Sequence, residues 1–130
     1  MIKKNIKYTD FNGNEREESF YFNLTKVELL RMDANAQEGG LTEKFKRISK
    51  SNDGAAIMEV MEDLIRKSYG KKTADGGFVK KQEYIDEFVS TEAYSELFYE
   101  LVTDANAAAE FVRGIIPANM AEQIAIPAKN

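Results

Sequence analysis

The chain has 130 residues, of which 43% are hydrophobic, so it can bury the core of one domain without covalent or metal cross-links. It contains no cysteine and no histidine, which excludes disulfides, thiolate metal sites and the commonest general base near pH 7. The net charge of −4 argues against a nucleic-acid-binding protein, because such proteins rely on basic patches. No apolar run approaches the roughly 20 residues that a membrane span needs, and no signal peptide is visible, so we expect a cytoplasmic protein.

The N-terminal segment predicts a β-hairpin, with strands over 2–9 and 15–24 and a turn at "DFNGN", residues 10–14. An Asp at the first position of a type I turn and a Gly at the fourth is a common pattern, and a left-handed Gly13 would complete a three-residue loop. That loop pairs even-numbered positions of the two strands, so the apolar side chains share one face. These side chains are Ile2, Ile6, Tyr8, Phe20, Phe22 and Leu24.

The same loop carries the spacing that opens a calcium-binding loop, at Asp10, Asn12 and Asn14. A calcium loop of this type needs glycine at its sixth position and glutamate at its twelfth, but these positions hold Glu15 and Tyr21. Its flanks should also be helices, whereas the flanks here predict strands. The turn interpretation is therefore favoured, and we expect no metal site.

The segment after the hairpin predicts two short helices. Thr25 and Glu28, three residues apart, form a capping box that begins a helix ending near Met32. A glycine pair then interrupts the chain. A second helix is expected over 41–48, where apolar residues recur at i, i+4 and i+7.

A third helix should begin at Asp53, carry a regular apolar stripe and close at Gly70. The "GKKT" of residues 70–73 resembles the end of a phosphate-binding loop, but the glycine required five residues earlier is replaced by Ile65. We therefore interpret it as a helix end followed by a basic turn. The glycine-rich segment over 71–78 indicates either a small second hairpin or a surface loop.

Three further helices are predicted towards the C-terminus. The first spans 80–89, and Ser90 or Thr91 caps the next one. Asp104 begins the last helix and Pro117 stops it. The last two helices carry wide apolar stripes, which usually form core and less often a groove for a partner helix.

Together these elements predict an α+β fold that is mostly α, with an N-terminal β-hairpin over 2–24 followed by a bundle of about five or six helices over 25–116. We expect residues 1–117 to form a single domain. Because capping signals and regular stripes fade after that point, residues 118–130 should form a C-terminal tail or linker.

Paired carboxylates occur in "EREE", residues 15–18, and in "MEDL", residues 61–64. A glycosidase-like site needs two carboxyl groups held across a cleft, one of them with its pKa raised by burial. Both pairs lie among polar neighbours on faces that we expect to be exposed. A solvated surface is the favoured interpretation, and a small enzyme acting through carboxylates is the alternative.

Several stretches carry a resemblance to a known family: the hairpin running into "FYFNLTK", the helix end "KSYG", and "TEAYSELFYEL" followed by "DANAAAEFVRGIIP". From about Lys7 to Pro117 the order of segments resembles the tail assembly chaperones of siphophages and prophages of Gram-positive bacteria. The resemblance implies a protein with no cofactor and no catalysed reaction. Such chaperones coat the tape measure protein in the infected cell, keep its hydrophobic helices soluble, help bring tail tube subunits to it, and are absent from the finished virion.

The resemblance and the apolar stripes together suggest a partner-binding surface on the last two helices. We expect Tyr94, Phe98, Phe111 and Ile115 to border a groove, or a self-association surface, for helical segments of the tape measure protein. No nucleic-acid or membrane partner is expected. The alternative within phage assembly is a tail-completion or connector subunit that stays in the virion.

The resemblance also bears on the C-terminus, because members of this family often have a longer product made by programmed ribosomal frameshifting. Lys129-Asn130 can be encoded by AAA AAC after an alanine codon ending in A, which would form a slippery heptamer. We therefore predict a second, longer product with the same N-terminus, which sequencing of the gene would check.

Overall fold

The computed structural model describes residues 1–36, 39–51 and 53–117. In these residues the chain forms four strands and six helices, which confirms the predicted α+β, mostly α, fold. The strands are β1 (Ile2–Thr9), β2 (Glu15–Phe22), β3 (Tyr69–Lys72) and β4 (Phe78–Val79). The helices are α1 (Lys26–Asn35), α2 (Gly40–Ser51), α3 (Gly54–Ser68), α4 (Gln82–Val89), α5 (Glu92–Thr103) and α6 (Ala105–Ile115). The predicted tail, residues 118–130, lies outside the described residues.

The N-terminal hairpin has the predicted three-residue loop. The N–H of Asp10 donates to the carbonyl of Asn14 at 2.8 Å, the N–H of Gly13 donates to the carbonyl of Asp10 at 2.9 Å, and Gly13 has φ 84°. The register pairs Ile2 with Phe22 and runs without a bulge to the pair of Thr9 and Glu15 beside the loop. The apolar residues of both strands therefore share one face. The backbone N–H groups of Asn14 and Asn12 donate hydrogen bonds to the carboxylate of Asp10 and lower its pKa, that of Asn14 most. This carboxylate therefore stabilises the turn.

Residues 69–79 form a second hairpin, which settles the choice that the sequence left open. Strands β3 and β4 extend the first hairpin into one antiparallel sheet with the order β1-β2-β3-β4. Its loop repeats the geometry of the first loop: the N–H of Thr73 donates to Gly77, the N–H of Gly76 donates to Thr73, and Gly76 has φ 92°.

The prediction that Gly70 closes α3 is wrong, and so is the basic turn inferred for residues 70–73. The helix ends at Ser68, and Gly70 lies buried in β3, paired with Tyr21 of β2. A Cβ at position 70 would lie 2.8 Å from the ring of Phe78 and 2.8 Å from the carbonyl oxygen of Val79. Glycine is therefore required by the close approach of the second hairpin, not by a helix end.

The capping predictions are confirmed at four helices. The side chains of Thr25, Asp53, Thr91 and Asp104 each accept a hydrogen bond from a backbone N–H in the first turn of α1, α3, α5 and α6. Thr91, not Ser90, caps α5. The first helix is one turn longer than expected, because α1 continues to Asn35.

The core lies between the inner face of the sheet and the helices, with α5 packed against β1, α3, α4 and α6. Phe22 is fully buried at its centre, where its ring centroid lies 5.6 Å from Tyr69, 5.8 Å from Phe88 and 5.3 Å from Phe111. This aromatic cluster joins both hairpins to α4 and α6. Among the described residues, no helix combines the length and apolar character needed to cross a membrane.

Candidate partner-binding site

Three half-buried side chains form an apolar row along α5, which we call the α5 strip: Tyr94, Phe98 and Val102. Residues four apart in a helix stack on one face, so the strip extends along the helix for about 12 Å. The rings of Tyr94 and Phe98 stack with their centroids 5.8 Å apart. Tyr94 also meets the buried ring of Phe88 edge-on at 5.7 Å, which fixes the inner end of the strip to the core.

The strip leads into an apolar groove of about 320 Å³ between α2, α3, α5 and α6, which we call the α2 groove. Val102 belongs to both, so the strip and the groove form one continuous apolar surface. The groove is built by side chains from all four helices. They include Phe45 and Ile48 of α2, Ile57 and Val60 of α3, Val102 of α5 and Ala108 of α6.

Charged groups of α3 border the strip near Tyr94. Arg66 Nε lies 3.1 Å from a carboxylate oxygen of Glu62, one turn apart on the helix. Burial raises the pKa of Tyr94, Glu62 raises it further and Arg66 opposes this. The tyrosine therefore stays neutral at physiological pH and presents an apolar ring with a polar tip.

The structure divides the four predicted partner-binding residues into two pairs. Tyr94 and Phe98 lie on the α5 strip, whereas Phe111 and Ile115 are only 1% and 0% exposed. Phe111 packs on Phe22, and the carbonyl of Ile115 accepts a hydrogen bond from the N–H of Leu24 at 2.8 Å. Phe111 and Ile115 therefore face the sheet and support the site from within the core.

The groove also contains residues that the sequence interpretation did not assign to a site. The sequence places Phe45 and Ile48 on one apolar face of a helix, and Ile57 and Val60 on the apolar stripe of α3. These apolar stripes are the sequence feature that could have indicated the groove. Periodicity alone does not identify a binding site, because it does not show whether a neighbouring helix covers a stripe completely.

The paired carboxylates are engaged by neighbouring side chains. On the hairpin, Glu17 accepts from Asn5, and Glu18 accepts from the hydroxyl of Tyr8, which raises the pKa of that tyrosine. On α3, Glu62 pairs with Arg66, and Asp63 pairs with Lys67 at 3.1 Å. In the described part of the chain, no group of three or more acidic side chains is arranged to hold a metal ion.

A family model described as "Phage tail assembly chaperone" matches residues 1–129. The chain belongs to the phage tail assembly chaperone family. Membership implies that it binds other tail proteins and suggests a non-enzymatic role. Searches among curated proteins and among solved structures find no significant match. In a tail assembly chaperone, an apolar surface that is half open to solvent is the natural candidate for the contact with other tail proteins.

Proposed function

We propose that this protein binds the tape measure protein of its phage and keeps the apolar helices of that protein soluble until the tail is built. It acts without catalysis or a cofactor in the cytoplasm of the host bacterium. It helps to bring tail tube subunits to the tape measure protein, and it leaves before the virion is complete.

The observation that carries the proposal is the continuous apolar surface formed by the α5 strip and the α2 groove in a member of the chaperone family. An amphipathic helix binds by placing its apolar face in such a groove, with contacts that recur every three or four residues. The strip offers two stacked aromatic rings, and the groove offers mostly aliphatic walls with Phe45 among them. Contacts of this kind accept many similar helical segments, as a chaperone for the helices of a long tape measure protein requires.

Co-expression tests the proposal directly. The tape measure protein should be largely insoluble when produced alone, and it should become soluble and purify with this protein when both are produced together. Mass spectrometry of purified virions should not detect this chain. A tape measure protein that stays insoluble and does not co-purify would contradict the binding role, and the chain in virions would indicate a structural subunit instead.

A further inference from the structure

Helix α2 contributes less to the core than its sequence allows. Its apolar face consists of Leu41, Phe45 and Ile48, yet only Leu41 is fully buried. Phe45 and Ile48 remain half-buried along the α2 groove. Helix α3, of similar length, buries three large apolar side chains completely.

Open space borders α2 on several sides. Besides the α2 groove, a cleft of about 410 Å³ separates α2 from α3, and another of about 390 Å³ lies between α1, α2 and α3. These clefts are open to solvent, so much of the surface of α2 that faces α1 and α3 is not covered by them. The firm attachment is at its first turn, where Asp33 accepts a hydrogen bond from the N–H of Leu41 at 2.8 Å.

One basic residue of α2 lies beside acidic residues of α3. Four basic residues and one acidic residue lie on α2: Lys44, Lys46, Arg47, Lys50 and Glu43. In the cleft between α2 and α3, Lys44 shares the walls with Glu59 and Asp63 of α3. Asp63 also pairs with Lys67 of its own helix at 3.1 Å. A basic residue at the position of Lys44 therefore suits this cleft, and α2 is itself a basic amphipathic helix.

We infer that α2 occupies, in the free protein, the docking site of a partner helix, and that a segment of the tape measure protein replaces it there. This inference rests on the proposed function and adds the kind of segment bound. The segment has apolar residues at i, i+4 and i+7 with lysine or arginine beside them, as in residues 40–51. Displacement of α2 removes the wall formed by Phe45 and Ile48, so that the α5 strip and the groove walls of α3, α5 and α6 together receive the incoming helix.

A cross-link that holds α2 in place tests the inference. Because the chain has no native cysteine, a thiol-specific cross-linker reacts only at the introduced cysteines. Ile48→Cys on α2 and Ala108→Cys on α6 both line the α2 groove, and a bismaleimide of matched length would join the two helices. The matched control joins Asn5→Cys to Ser19→Cys, which face each other across β1 and β2, far from α2. Binding of the tape measure protein to each double variant of the full chain is measured before and after cross-linking. A loss of folding caused by the substitutions themselves is then detected before the cross-link is made.

Binding of the tape measure protein should weaken about tenfold or more when α2 is cross-linked, and it should be unchanged by the control cross-link. Equal binding before and after cross-linking of α2 would overturn the inference and leave the proposed function intact. Failure of the unmodified protein to bind the tape measure protein would overturn both.

A competition measurement tests the charge of the segment. A synthetic peptide with the sequence of residues 40–51 should compete with the tape measure protein for the unmodified chain. The same peptide with its lysines and arginine replaced by glutamate should compete at least about tenfold less well, because it would meet Glu59 and Asp63. Equal competition by the two peptides would overturn the proposed preference for basic segments.

Discussion

The ammonium group of Lys80 lies 2.6 Å from a carboxylate oxygen of Glu28 and ties the end of the second hairpin to the first turn of α1. The same ammonium donates to the carbonyl of Asn23 at 2.6 Å, and the same carboxylate oxygen accepts from the N–H of Thr25 at 2.8 Å. Burial raises the pKa of Glu28, but the hydrogen bonds from Lys80 and Thr25 outweigh it and hold the pKa below its ordinary 4.5. This contact fixes where the helical part of the chain begins relative to the sheet.

Replacing Glu28 by Gln should lower the free energy of unfolding by about 1 kcal/mol at neutral pH, because the charge partner of Lys80 is lost. A carboxylate with a depressed pKa stabilises the fold above its unfolded pKa, and this contribution disappears as the pH falls through the folded value. The difference between wild type and Glu28→Gln should therefore shrink below pH 4.5 in urea unfolding. Glu62→Gln, which removes a more exposed pair, is the control and should cost less. A difference that does not change with pH would contradict this account.

Gly70→Ala should destabilise the protein by about 1–3 kcal/mol, because the new methyl group would overlap Phe78 and the carbonyl of Val79. Gly54→Ala is a matched control, since a Cβ there meets nothing within 4 Å and alanine favours the helix. Thermal unfolding of both variants measures the contrast. Equal unfolding temperatures of the two variants would contradict the close approach of Phe78 and Val79 at Gly70.

The outcome at Gly70 shows where prediction from the sequence stops. Thr25, Asp53 and Asp104 were assigned correctly, because a cap depends on neighbours within one turn of the chain. Gly70 and Tyr21 are paired although 49 positions separate them in the sequence. No local pattern encodes that pairing, so the end of α3 looked like a glycine cap instead of the start of a strand.

Gly13→Val should lower the free energy of unfolding by roughly 1 kcal/mol or more, since a β-branched residue is strained at positive φ. Nothing lies within 4 Å of a Cβ built at this position, so backbone conformation alone is responsible. Gly13→Asn should be milder, because asparagine tolerates the left-handed region better. Urea unfolding of the two variants checks the order, and equal losses would contradict a purely conformational cost.

Amide hydrogen exchange should show that α2 opens more easily than α3 or α5. Its middle and C-terminal turns pack through the half-buried Phe45 and Ile48, whereas α5 is held by the fully buried Ala93, Leu97 and Leu101. Helices with few buried apolar contacts open at lower free energy than the core. Exchange in α2 as slow as in α5 would show that the clefts around α2 do not weaken its attachment.

The sequence did not distinguish the buried from the half-buried members of the candidate site, for a physical reason visible in α5 and α6. Both helices carry apolar stripes, and periodicity marked Tyr94, Phe98, Phe111 and Ile115 alike. Packing separates them, because α6 turns Phe111 towards Phe22 of the sheet while α5 leaves Phe98 at the margin of the core. The tertiary arrangement of the six helices determines which stripe is buried, and no local sequence pattern predicts that arrangement.

The most direct test of the central claim is the affinity of the tape measure protein for chains altered on the α5 strip. Tyr94→Ala combined with Phe98→Ala should weaken binding about tenfold or more, because aromatic anchors dominate such interfaces. Phe11→Ala is the control, since Phe11 is 76% exposed at the tip of the first hairpin and lies outside the strip and the groove. Circular dichroism at the assay temperature verifies that each variant is folded. Binding by the folded double variant that equals wild type would contradict the claim that this apolar surface receives the tape measure protein.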